Sequence, residues 1–79
     1  MESQRYEVLQ YMREHGSITR MESFLEIGVT ELSSRIGELE RIDRVKIKRE
    51  PITITARKNG KKVRITRYSI EEDIKNDAD

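Results

Sequence analysis

Seventy-nine residues suffice for one domain and leave no room for a deep substrate cleft. The absence of cysteine excludes a disulfide framework, a thiolate nucleophile and thiolate zinc sites, so an apolar core suited to a reducing compartment must carry stability. The 16 basic and 15 acidic residues nearly cancel but are segregated.

The first forty residues hold eight acidic residues against four arginines and begin with helical periodicity. Tyr6, Val8, Leu9, Tyr11 and Met12 recur at helical spacing from about Gln4 to His15, and Gly16 stands where a left-handed stop belongs. Ser17-Ile18-Thr19 leaves room for a short strand with Ile18 buried. Thr19-Arg20-Met21-Glu22 has the Thr-x-x-Glu form of a capping box, which starts a second helix at Arg20 with Met21, Phe24 and Leu25 as its apolar stripe. Gly28, within Ile27-Gly28-Val29, ends that helix after about two turns. Thr30 offers the next N-cap, and Leu32, Ile36 and Leu39 bury one face of a third helix from Glu31 to about Arg41.

From Arg41 to Ile70 eleven basic residues face only Asp43 and Glu50, and the period changes to that of strands. Val45 and Ile47 alternate with lysines, and Ile52 and Ile54 with threonines; Pro51 shifts the alternation and predicts a bulge or an edge position. Asn59-Gly60 is a hairpin signal of the two-residue type I′ kind, with a return strand from Lys62 to Ile70. Residues 71–79 return to net negative charge and predict an acidic disordered tail beyond a domain spanning 1–70. The order helix, short strand, helix, helix, strand, turn, strand predicts an α+β fold of winged helix-turn-helix type: three helices followed by a two-stranded hairpin wing.

In such a fold the third helix lies in a major groove, its polar face carrying Glu31, Ser34, Arg35, Glu38 and Arg41 with Ser33 at the margin. Arg35 is the leading base reader, because its planar fork can bond guanine O6 and N7 together; Ser33 and Ser34 permit close approach, and Thr30 with the helix N-terminus holds a phosphate. Glu31 and Glu38 oppose phosphates unless they accept from cytosine or orient an arginine; an ordinary solvated face with a Glu31–Arg35 pair is the plainer alternative. The wing offers Arg57, Lys58, Asn59, Lys61, Lys62, Arg64 and Arg67, which position a protein on phosphates rather than read sequence. Edge protection alone needs fewer cations.

His15, the lone histidine, suits a helix C-terminus, and with no cysteine and no acidic calcium-type loop, neither metal nor cofactor is expected. No nucleophile elbow or phosphate-binding glycine loop points to an enzyme or a small-molecule substrate. The N-terminus lacks the parts of a signal peptide, and no apolar run approaches the roughly 20 residues of a membrane span, so a cytoplasmic chain without a membrane partner is expected.

The runs Gly16-Ser17-Ile18-Thr19, Ile27-Gly28-Val29-Thr30-Glu31-Leu32-Ser33-Ser34-Arg35-Ile36 with Leu39, and Arg67-Tyr68-Ser69-Ile70 resemble small phage and prophage winged helix-turn-helix proteins over about Gln4 to Ile70. Ser34 replaces the usual alanine, Glu31 stands where arginine is common, and Asp43-Arg44 takes the place of a glycine that usually ends the third helix. The resemblance implies binding of double-stranded DNA in a bacterial or phage-infected cell, by a regulator or an excisionase-like factor. An adaptor for assembly or packaging, meeting a protein partner through the acidic surface or tail, is the alternative expectation.

Overall fold

The structure, a computed structural model, describes residues 3–73. Helix α1 (Gln4–His15) starts where Ser3 accepts the Tyr6 amide at 3.1 Å and stops at Gly16, whose amide returns to the Met12 carbonyl. After β1 (Ser17–Thr19), the expected capping box opens α2 (Arg20–Ile27): the Thr19 hydroxyl accepts from the Glu22 amide at 3.3 Å while the Thr19 amide donates to the Glu22 carboxylate at 2.9 Å. Gly28, at φ 70°, makes the left-handed turn that separates α2 from α3 (Leu32–Arg41). Helix α3 begins one residue later than the sequence predicts. Thr30 is not its cap; Glu31 takes that place and makes no side-chain capping bond.

Val8, Leu9, Met12, Ile18, Val29, Leu32, Ile36, Leu39, Val45 and Ile47 form the core, with Tyr11, Ile27, Tyr68 and Ile70 packed on its margin. The stripe expected of α2 does not join it. Met21, Phe24 and Leu25 are 60, 56 and 66% exposed, and α2 instead turns Ser23 and the edge of Ile27 inward. Ser23 is fully buried and donates its hydroxyl to the Val29 carbonyl at 2.7 Å, a polar pin that an apolar count overlooks.

Strands β2 (Lys46–Thr55) and β3 (Lys62–Glu72) form the hairpin, and β1 pairs with β3, so the wing grows from a three-stranded antiparallel sheet of order β1-β3-β2 rather than standing as two strands alone. The register is continuous from Ile47↔Ile70 to Thr55↔Lys62; its one irregularity lies between Lys46 and Ile47, and Pro51 sits in a regular stretch on the edge strand. Because Ala56 donates to the Lys61 carbonyl, the two-residue period turns the amides of Ile54, Ile52 and Glu50 toward β3 and the nitrogen of Pro51 outward. The proline therefore costs the ladder nothing.

The turn is longer than the type I′ turn expected of Asn59-Gly60. Gly60, at φ 67°, donates to the Ala56 carbonyl at 2.8 Å, Asn59 has no positive φ, and its side-chain oxygen accepts the Lys61 amide at 3.0 Å. Strand β3 runs two residues past Ile70, where the sequence reading ends the domain, and Asp73 forms a two-point pair with Arg13 at 2.8 and 3.0 Å. Glu71, Glu72 and Asp73 are thus structured. Residues 74–79 of the expected tail lie outside the described residues.

The ribbon changes character along its length. Near its base, Ile47, Ile70 and Tyr68 share the face that packs on the helices, whereas toward the tip the same face bears Thr53, Thr55, Lys62, Arg64 and Thr66. The opposite face carries Lys48, Glu50, Arg67 and Ser69 at the base and Ile52, Ile54, Val63 and Ile65 at the tip.

Candidate nucleic-acid interface

The N-terminus of α3 and the wing flank one groove of about 520 Å³, lined by Arg20, Thr30, Glu31, Leu32, Ser33, Ser34, Arg64, Ile65, Thr66 and Tyr68. Since the Glu31 carboxylate makes no capping bond, the first-turn amides of α3 lack a side-chain acceptor on this side. Arg20 and Arg64 stand in the same lining, one from α2 and one from β3.

Burial of Leu32, Ile36 and Leu39 points Ser34, Gly37 and Arg41 directly away from the core, with Ser33 and Glu38 to either side. Ser33, Ser34 and Arg41 are exposed. Arg35 lies instead on the flank toward α1: its guanidinium donates to Gln4 at 3.2 Å and to Glu38 at 3.1 Å, and its Nε is buried with no partner. The Glu31–Arg35 pair of the plainer alternative does not form; Arg35 pairs with Glu38 and fastens α3 to α1 through Gln4.

On the wing, Arg57, Lys58, Asn59, Lys61 and Lys62 surround the turn and Arg64 sits just below it, all exposed. Among the described residues, none of the five cations in that group makes an ion pair. Arg67 differs. It sits at the base of the ribbon opposite Glu50, bonds its carboxylate at 2.7 Å, and holds that carboxyl below the ordinary range. Arg49 likewise closes a two-point pair with Glu40 of α3 at 2.7 and 2.9 Å, depressing the Glu40 carboxyl while lying 5.7 Å over the Tyr68 ring. The cations thus divide into those that brace the sheet and those left open at the tip.

A family model described as a winged helix-turn-helix domain matches residues 3–73. The chain belongs to that family. A winged helix-turn-helix domain suggests DNA as its partner, and the family is typically non-enzymatic. Neither the curated proteins nor the solved structures yield a match to the chain. Among the described residues no helix is long and apolar enough to cross a membrane, and no acidic or histidine cluster could hold a metal ion.

Two residues that the sequence reading passed over stand on the winged helix-turn-helix unit, Arg20 in the groove lining and Gly37 on the outward side of α3. Arg20 opens α2, where a positive charge opposes the helix dipole. Gly37 lies mid-helix, where glycine costs about 1 kcal/mol relative to alanine, yet a Cβ there would meet nothing within 4 Å. Packing gives no reason for it.

Proposed function

We propose that this domain binds double-stranded DNA as a regulator or excisionase-like factor of phage or mobile-element origin, with affinity supplied by the wing and modest sequence preference supplied by α3. The observation that carries the reading is the row of five unpaired cations, Arg57, Lys58, Lys61, Lys62 and Arg64, beside the open N-terminus of α3. Arg20, Arg64, the Thr30 hydroxyl and the first amides of α3 hold one phosphate, which anchors the helix in register. Ser33, Ser34 and Arg41 meet base edges, Gly37 lets the helix backbone come close, and Arg35 orients α3 from behind through Gln4 and Glu38. Glu31 and Glu38 temper the positive field, so indiscriminate attachment is weakened along with the rest.

Fluorescence polarisation with a random-sequence duplex across a salt series tests this. Each phosphate neutralised contributes about 0.9 to the slope of log affinity against log salt, so five wing contacts give a slope near −4.5. Replacing Lys58, Lys61 and Lys62 by glutamine should flatten the slope by roughly 2.7 units while leaving the thermal midpoint unchanged. Binding no tighter than millimolar at low salt, or affinity indifferent to salt, would sink the reading.

A further inference from the structure

We propose that Asn59, at the tip of the wing, is a site of covalent modification: the Gly60 nitrogen displaces its side-chain amide and leaves a carboxylate among the wing cations. Asn59 is exposed in the turn, and it is the one uncharged member of the wing residues singled out from the sequence. The residue after it is a glycine that takes φ 67°, so the attacking nitrogen has no Cβ beside it as a shield. A Cβ at Gly60 would meet nothing within 4 Å, so that side of the backbone is open to the incoming side chain. The Asn59 side-chain oxygen accepts the Lys61 amide at 3.0 Å. That bond spans Gly60, brings the side chain alongside the Gly60 peptide and polarises the carbonyl carbon that is to be attacked. Arg57, Lys58, Lys61 and Lys62 surround the turn and favour each anion formed within it, first the deprotonated Gly60 nitrogen and then the carboxylate. One bond holds the reaction back. The Gly60 amide donates to the Ala56 carbonyl at 2.8 Å, and attack waits for this exposed turn to open, an event at the low end of local unfolding free energies.

In the first step the bond from the Gly60 nitrogen to Asn59 Cγ forms, the Cγ–Nδ2 bond breaks, and ammonia leaves with the amide proton, giving a cyclic imide. Water then opens the imide, at Cγ to give aspartate or at the backbone carbonyl to give isoaspartate, and no electron is transferred. Aspartate retains an oxygen for the Lys61 amide and so retains the turn. Isoaspartate adds a methylene to the main chain and disrupts the bond from Gly60 to Ala56. Either product places a negative charge between Lys58 and Lys61, where it pairs with a cation and repels phosphate. This last consequence rests on the DNA binding proposed above: the hold of the wing on a polyanion weakens as the chain ages.

Peptide mapping by mass spectrometry, on the full chain held for days near neutral pH, reads the chemistry without DNA. The wing peptide should convert at Asn59 in the folded chain as well as in urea. Gly60→Ala should slow the conversion several-fold, and Asn59→Ser should yield no acidic form of that peptide. An Asn59 amide that persists in the folded chain while the chain in urea converts overturns the proposal, and so does a rate unaltered by Gly60→Ala. The consequence is measured separately, by fluorescence polarisation with the random-sequence duplex across the salt series. Asn59→Asp should bind several-fold more weakly than Asn59→Ser and flatten the salt slope by up to about 0.9, the share of one phosphate contact. Steep but equal slopes for the two variants overturn the effect on the wing. Salt-indifferent binding by the unmodified chain sinks the DNA reading instead, and the peptide map alone then decides the modification.

Discussion

Arg44 is the only non-glycine among the described residues with positive φ, at 60°, and it stands just past α3. The conformation closes the helix, because it lets the Val45 amide reach back to the Leu39 carbonyl at 3.1 Å. A side chain pays roughly 1 kcal/mol to sit there. Arg44→Gly should therefore stabilise the fold by about 0.5–1 kcal/mol and raise the thermal midpoint by a few degrees; calorimetry showing a fall would refute this account. The carboxyls of Glu40 and Glu50 behave differently. Hydrogen bonds from Arg49 and Arg67 hold both below the model-compound value of 4.5, so each favours the folded state once ionised. That contribution is complete above pH 4.5 and disappears as pH falls through the depressed folded values. Thermal midpoints should decline more steeply below pH 4.5 in the wild type than in Glu40→Gln, whose curve is flatter because the site no longer titrates. The left-handed position falls on Arg44, which the sequence reading did not mark for a positive φ. The bracing role of Arg35 was less visible, since it depends on Gln4, 31 positions away in the chain.

At the scale of elements, the capped helix start at Thr19 and both glycine stops, Gly16 and Gly28, follow from local chemistry and were legible for that reason, whereas the Ser3 cap went unread. The inward face of α2 was not. Met21, Phe24 and Leu25 have the helical spacing of a core stripe, but α2 is only 8 residues long and a buried hydroxyl rather than an apolar side chain joins it to the turn. Ser23→Ala removes the donor to the Val29 carbonyl and leaves that carbonyl buried without its partner, at a cost of about 1–2 kcal/mol. Denaturant unfolding should show a lower midpoint with unchanged slope; an unaltered midpoint would mean that water or a shifted backbone takes over the bond.

For the whole molecule, the order of elements and the segregation of charge were readable, because both arise from chain-local pattern. The pairing of the short first strand with β3, the longer wing turn and the exchange of apolar faces along the ribbon were not, because each depends on how distant segments align. The wing makes the molecule long, 49 Å against 26 and 20 Å, and leaves β2 as an outer strand of 10 residues. An unpaired strand of that length is a template on which another chain could extend the sheet without limit. Pro51 lies midway along it with no hydrogen to offer outward, so an incoming strand would meet a gap at the centre of its ladder. Pro51→Val should keep the fold, since no native bond involves that nitrogen, and should accelerate fibrillar aggregation at high concentration, measured by thioflavin fluorescence. On this view the single proline of the chain guards solubility, keeping a protein that carries a long open edge from polymerising through it.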